Sequence, residues 1–278
     1  MASPSVPRDS IRSLFSAIIE VRNRERWTDL ESYVHPNFTL NGSSNPRSEL
    51  AELLGFGRRA EGTGEVRIDS IAVDDKLGGV AARLVNRVTP TDPGANALER
   101  QEIVFAYFTD GRLSSWQALQ DEDGVRDGTP AIPSAQPPTT TRGPSALSYA
   151  GLKDFYRAYI NSINSQTMEK DFPRFCQPEL EHNDRRLSIV EYIPLISDSQ
   201  NAIEGLHFHI QDLLADEGNQ RIAARLEFTG TPVREWGGAT PNGKPVNFHE
   251  HVVYDLESGK ISHVKSVIEL GLYREQMS

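Results

Sequence analysis

Apolar residues recur at intervals of three and four at the start of two separate stretches of the chain. Ile11, Leu14, Phe15, Ile18 and Ile19 fall on one helical face, and so do Leu152, Phe155, Tyr156, Tyr159, Ile160 and Ile163. That spacing predicts an amphipathic helix opening each half. Shorter helical patterns follow, over Trp27–Tyr33 and Arg47–Gly55, then over Met168–Phe175 and Ile189–Ser197. The pattern next changes to apolar–polar alternation, the period of a strand with one buried face. It covers Val66–Val73, Val80–Val88, Arg100–Phe108 and Leu113–Leu119, with counterparts in the second half. Helices first and antiparallel strands after predict an α+β fold, with helices packed on one face of a curved, mainly antiparallel sheet.

The halves also echo each other residue by residue. Val80-Ala-Ala-Arg-Leu84 returns as Ile222-Ala-Ala-Arg-Leu226, 142 residues on, and Ile68 and Ile71 return as Ile210 and Leu213. His35-Pro-Asn-Phe38-Thr-Leu-Asn41 returns at the same offset as Gln177-Pro-Glu-Leu180-Glu-His-Asn183. Gly111 and Gly259 are each followed ten residues later by an acid, Asp121 and Glu269. Several matches in one order predict an internal duplication. Between the halves, residues 124–148 are rich in proline and threonine and hold no aromatic residue, the composition of a linker. The expected organisation is a domain over 8–123, a linker over 124–148 and a domain over 149–278.

Composition narrows the partners. A formal charge of −10 argues against nucleic acid or an anionic membrane, both of which need clustered Lys and Arg. A small, neutral or apolar molecule remains the expected ligand. The single cysteine, Cys176, fits a reducing compartment. With no secretory pattern at residues 1–15 and no run of apolar residues long enough to span a bilayer, the expected location is cytoplasmic. No glycine-rich phosphate loop, G-x-S-x-G elbow or C-x-x-C pair is present, so no cofactor is expected.

Candidate chemistry concentrates in Thr240–Gln276, two extended segments joined by a turn at Glu257-Ser258-Gly259-Lys260. Three of the seven histidines lie there, His249, His251 and His263, with Lys265 and Glu269. His249 and His251 share a strand phase and could form half of a zinc site if other ligands faced them; no metal is the expectation. Phe248, Glu250, Val252 and Tyr254 form the other phase, more apolar on balance, which leaves open which face is buried.

The second half resembles the SnoaL-like polyketide cyclases of the nuclear transport factor 2-like, or ketosteroid-isomerase-like, superfamily. The residues that carry the resemblance are Thr229-Gly-Thr-Pro232, Pro241-Asn-Gly-Lys244, Gly259-Lys-Ile261, Glu269 and Gly271-Leu272. The first half matches more loosely and lacks the P-x-G-K turn. The resemblance implies two cone-shaped α+β barrels in tandem, each with an apolar pocket between sheet and helices. Family members are often homodimers, so a tandem copy could form an intramolecular pseudo-dimer, or the chain could itself form a homodimer.

In similar proteins the acid ten residues past the glycine faces the pocket. By strand alternation that puts Ile261, His263, Lys265, Val267 and Glu269 on the lining. Glu269 is then the expected general acid or base, helped by His182, His249 or His251. Asn183, His263, Lys265, Tyr156, Tyr159 and Trp236 are the expected substrate contacts, Trp236 as a cap on the cavity mouth. In the first half, Glu102 and Val104 are aligned with His249 and His251, Ser115 with His263, Gln117 with Lys265 and Leu40 with His182. The first half is therefore expected to be a degenerate, structural copy. The functional expectation is a cofactor-independent cyclase or isomerase acting on a polyketide- or terpenoid-like molecule, and the alternative is a non-catalytic binder. The environment of Glu269 discriminates between them.

Overall fold

Each of the two amphipathic stretches is a helix, α1 (Arg8–Arg24) and α4 (Tyr149–Asn164), and each is the lid of its own sheet. The structure is a computed structural model that describes residues 8–54, 62–92, 94, 96–124, 126–127 and 145–278. The chain divides into two units, Met1–Gln136 and Pro137–Ser278. Most of the proline-rich joint lies outside the described residues.

In the first unit α1 leads through a 3-10 turn into α2 (Leu30–Tyr33), then β1 (Val34–Leu40) and β2 (Ser43–Pro46), then α3 (Leu50–Leu54). Four long strands follow: β3 (Gly62–Asp74), β4 (Gly79–Pro90), β5 (Leu98–Thr109) and β6 (Arg112–Gln120). The sheet order is β2-β1-β6-β5-β4-β3, with the short β7 (Arg126–Asp127) also paired to β5. The second unit repeats the plan. After α4 come α5 (Met168–Phe175), β8 (Cys176–His182), β9 (Arg185–Ser188) and α6 (Ile189–Ala202). Then follow β10 (Ile203–Asp216), β11 (Arg221–Pro232), β12 (Val246–Glu257), β13 (Lys260–Ile268) and a closing helix α7 (Leu270–Met277). Its sheet order is β10-β11-β12-β13-β8-β9. Both sheets are antiparallel except at one place, where β1 meets β6 and β8 meets β13 in parallel. Each unit is thus an α+β cone whose helices close over one face of a mixed sheet.

Local chemistry sets the element ends. Ser148 caps α4 by accepting from Gly151 N–H, and Ser188 with Glu191 forms a reciprocal capping box on α6. At the β12–β13 hairpin Ser258 and Gly259 both have positive φ, 51° and 75°, the two-residue turn whose twist matches the strands. A Cβ on Gly259 would lie 2.9 Å from the Ser145 carbonyl oxygen, so glycine is required there twice over.

The interior of the second unit is formed by Leu152, Tyr156, Tyr159, Ile160 and Ile163 of α4, packed with Phe172 and Phe175 against inward residues of the sheet. Each fully buried Leu or Phe side chain there contributes roughly 2 kcal/mol of transfer free energy. The first unit has a separate interior around Ile11, Phe15, Ile18 and Trp116.

Strand registers correct the sequence alignment of the halves. Glu102 is opposite Leu84, and Glu250 is opposite Leu226, the 142-residue counterpart of Leu84. Glu102 therefore corresponds to Glu250, not to His249. The segment before β12 (233–245) is longer than that before β5 (91–97), and an error of one residue across this gap exchanges the two faces of the strand.

Candidate functional site

Pairing between β11 and β12 decides which phase of β12 points inward. Phe248, Glu250, Val252 and Tyr254 stand opposite Phe228, Leu226, Ala224 and Ile222, all members of the buried core. Glu250 is the one charged residue in that inward row. It lies deep among protein atoms yet keeps partial solvent accessibility. Burial pushes its pKa up from 4.5 to about 7, against a smaller opposite effect of a hydrogen bond from Ser266.

Polar side chains converge on the same interior from several elements. His182, at the end of β8, places Nε2 3.3 Å from the Ser266 hydroxyl of β13. Desolvation, reinforced by Lys265 and Arg185, lowers its pKa from 6.5 to about 4, so the ring is neutral at physiological pH. The His182 ring lies 5.7 Å from that of Tyr192 on α6, and the Tyr192 and Tyr159 hydroxyls are 3.0 Å apart. Tyr254 packs on Tyr156 and Tyr159 at ring separations of 5.3 and 5.8 Å. Burial raises the pKa of all four tyrosines, so each is a neutral hydroxyl. The Tyr156 hydroxyl is buried without a well-formed hydrogen bond, although Tyr254 is close enough to interact. A carboxyl that can hold or release a proton near pH 7 is thus surrounded by neutral donors and apolar walls, the setting for acid–base chemistry on an uncharged molecule.

The inward row of β13 differs from the one expected from alternation. Tyr254 pairs with Val264, but Leu256 pairs with Ile261, so Ser262 is an extra residue and the phase shifts by one. Ile261, Val264, Ser266 and Ile268 face the interior, and His263, Lys265 and Val267 face the opposite side. The Lys265 ammonium, with its side chain only 6% exposed, is ion-paired to Glu181 and Asp184. His263 lies beside Gln177, Glu179 and Arg186 in a shallow surface depression of about 510 Å³. His249 and His251 are on the outward face with Glu227 and Arg225 as their partners in register. Glu269 follows β13 and accepts from the backbone N–H of His249 at 3.2 Å, and its carboxylate lies 2.8 Å from Nδ1 of the His249 ring. Their side chains are 28% and 18% exposed. The pair is part-exposed and lies on the outward face of β12; the buried acid of the interior is Glu250.

Asn183 is fixed by backbone bonds, donating to Ser266 C=O at 3.0 Å and accepting from Ser266 N–H at 2.9 Å. It clamps the β8–β9 turn to β13 and so positions His182 beside Ser266. Asn41 makes the corresponding bond to Ala118 N–H. Tyr156 and Tyr159 do face the interior, and Trp236 packs on Phe248 and Tyr273 at ring separations of 5.9 and 5.1 Å. Among the described residues no three His, Cys, Asp or Glu side chains are grouped to hold a metal ion. Glu250, Tyr192, Tyr254 and Ser266 were missed from the sequence. The available signal was a single charge in an otherwise apolar row of β12.

The model of the SnoaL-like polyketide cyclase family matches residues 153–276. A solved SnoaL-like polyketide cyclase from Agrobacterium tumefaciens is 34% identical over 46% of this chain and 98% of that one, with a TM-score of 0.43. TsrD from Streptomyces laurentii is 18% identical over 48% of this chain and 98% of that one, TM-score 0.43. AclR from Streptomyces galilaeus is 19% identical over 47% of this chain and 97% of that one, TM-score 0.41. No curated protein sequence matches the chain.

Proposed function

We propose that this chain, which belongs to the SnoaL-like polyketide cyclase family through its second unit, is a cyclase or isomerase working by general acid–base chemistry on an uncharged polyketide- or terpenoid-like molecule. The observation that carries the reading is Glu250, a deep carboxyl poised near pH 7 and hydrogen-bonded by Ser266. In this reading the Glu250 carboxylate takes a proton from a carbon beside a substrate carbonyl. Negative charge moves to the carbonyl oxygen as an enolate, which a neutral donor of the interior stabilises; Tyr156, whose hydroxyl is poorly partnered, and His182 are the candidates. The enolate carbon then closes a ring or recovers the proton at another position. Apolar walls fold the substrate and keep water from the base. No step requires a cofactor.

The test is exchange of substrate C–H for deuterium. The full chain is incubated in D2O with tetralone- and β-ketoester-type carbon acids, and exchange is followed by NMR. Glu250→Gln should abolish protein-dependent exchange, and Glu269→Gln should preserve it. Loss in Glu269→Gln with retention in Glu250→Gln would overturn the assignment. Absence of exchange across the panel, with a small molecule co-purifying, would favour the non-catalytic binder.

A further inference from the structure

The carboxyl at the Glu250 position exists in both units, and its surroundings differ in one consistent way. In the second unit Glu250 has Leu226 and Ile268 as its in-register neighbours, with Phe228 paired to Phe248 one step along the same face. In the first unit Glu102 stands opposite Leu84 and Gln120, and the next pair is Asn86 with Arg100. The helix adds a cation. Asn23 of α1 and Asn164 of α4 make the same pair of bonds, to the backbone of Val66 and of Phe208. That equivalence makes Arg22 the counterpart of Ile163.

Arg22 reaches Glu102 at 3.6 Å, with side chains only 7% and 9% exposed. It also donates to Asn86 Oδ1 at 3.0 Å, and Asn86 Nδ2 donates to Glu102 at 3.0 Å, so the three side chains form one buried network. Arg100 donates to Gln120 beside it. Where the second unit has Ile163, Phe228, Phe248 and Ile268, the first has Arg22, Asn86, Arg100 and Gln120. Deeper in, Phe15, Ile18 and Ala106 take the places of Tyr156, Tyr159 and Tyr254, and Leu40 that of His182. Trp116 stands where Val264 does, is fully buried and stacks on Phe15 at 5.6 Å.

We infer that the duplication has kept one reactive interior and turned the other into a structural network: Glu102 is the counterpart of the reactive Glu250, held by Arg22 and Asn86 as a stabilising ion pair, so of the two interiors only the second unit's is a small-molecule site. This rests on Glu250 being the reactive group, but its central claim concerns the first unit and can be read without catalysis.

Glutamate labelled with 13C at Cδ, titrated by NMR in the full chain, tests it. Wild type should show a glutamate signal titrating near neutral pH that is lost in Glu250→Gln and kept in Glu102→Gln. The variant R22I/N86F, which gives the first unit the residues of the second, should melt at the same temperature with or without E102Q, because the arginine that needs the anion is gone. If that variant does not fold, Glu102→Gln alone still decides. It should lower the thermal midpoint by about 10 °C, the effect of leaving a buried arginine without its anion, and change deuterium exchange less than twofold. Loss of the near-neutral signal in Glu102→Gln, or an exchange loss of tenfold or more in that variant, would overturn the inference. Failure of Glu250 to support exchange would remove the proposed function but leave the titration and melting results to stand or fall alone.

Discussion

Glu250 and His182 both contact Ser266, burial disfavours the charged form of each, and because those charged forms have opposite signs the two make a measurable prediction about pH. Burial takes Glu250 from 4.5 to about 7 and His182 from 6.5 to about 4. Each change corresponds to about 3 kcal/mol, at ~1.4 kcal/mol per tenfold change in proton affinity. The signs differ. The folded state binds the Glu250 proton more tightly than the unfolded state does. Its contribution is therefore full below about pH 4.5 and is lost as pH rises to about 7. The folded state resists protonation of His182, so that contribution is full above about pH 6.5 and is lost as pH falls to about 4. Between those limits the two slopes cancel in the wild type, and removing one group exposes the other. Relative to wild type, Glu250→Gln should gain about 3 kcal/mol as pH rises from 4.5 to 7, and His182→Gln should gain about 3 kcal/mol as pH falls from 6.5 to 4. Urea unfolding followed by the 19F signal of 5-fluorotryptophan at Trp236 reads the second unit, since the other two tryptophans, Trp27 and Trp116, belong to the first. A stability difference from wild type that stays constant with pH in either variant would refute the claim that burial disfavours that group's charged form.

Two further outcomes follow from the geometry. Glu269→Gln removes a partly exposed partner of His249, and should shift stability by less than about 1 kcal/mol in a thermal melt. Asn183→Ala removes two bonds to the Ser266 backbone and should cost about 2 kcal/mol in urea unfolding, with Glu250 still titrating near neutral pH in the 13C experiment.

Much of this architecture was legible because it is local. Three-and-four spacing placed α1 and α4, and alternation placed the long strands to within a few residues. The echo of Val80–Leu84 in Ile222–Leu226 revealed the second copy. The apolar face of α4 also put Tyr156 and Tyr159 toward the interior. The site was less legible because it depends on strand phase, which is fixed by pairing with distant strands. One extra residue at Ser262 sends Ser266 inward and Lys265 outward, the reverse of alternation counted from Gly259. One residue of slip across the unequal segments before β5 and β12 hides the match between Glu102 and Glu250. The sequence by itself determined the helices, the strands, the repeat and the presence of a lone acid in an apolar row. Only the tertiary structure decided that this acid points inward and that its twin meets Arg22. A side chain's charge is written in the chain, but its solvation and its counter-ion come from strands and helices far away in sequence.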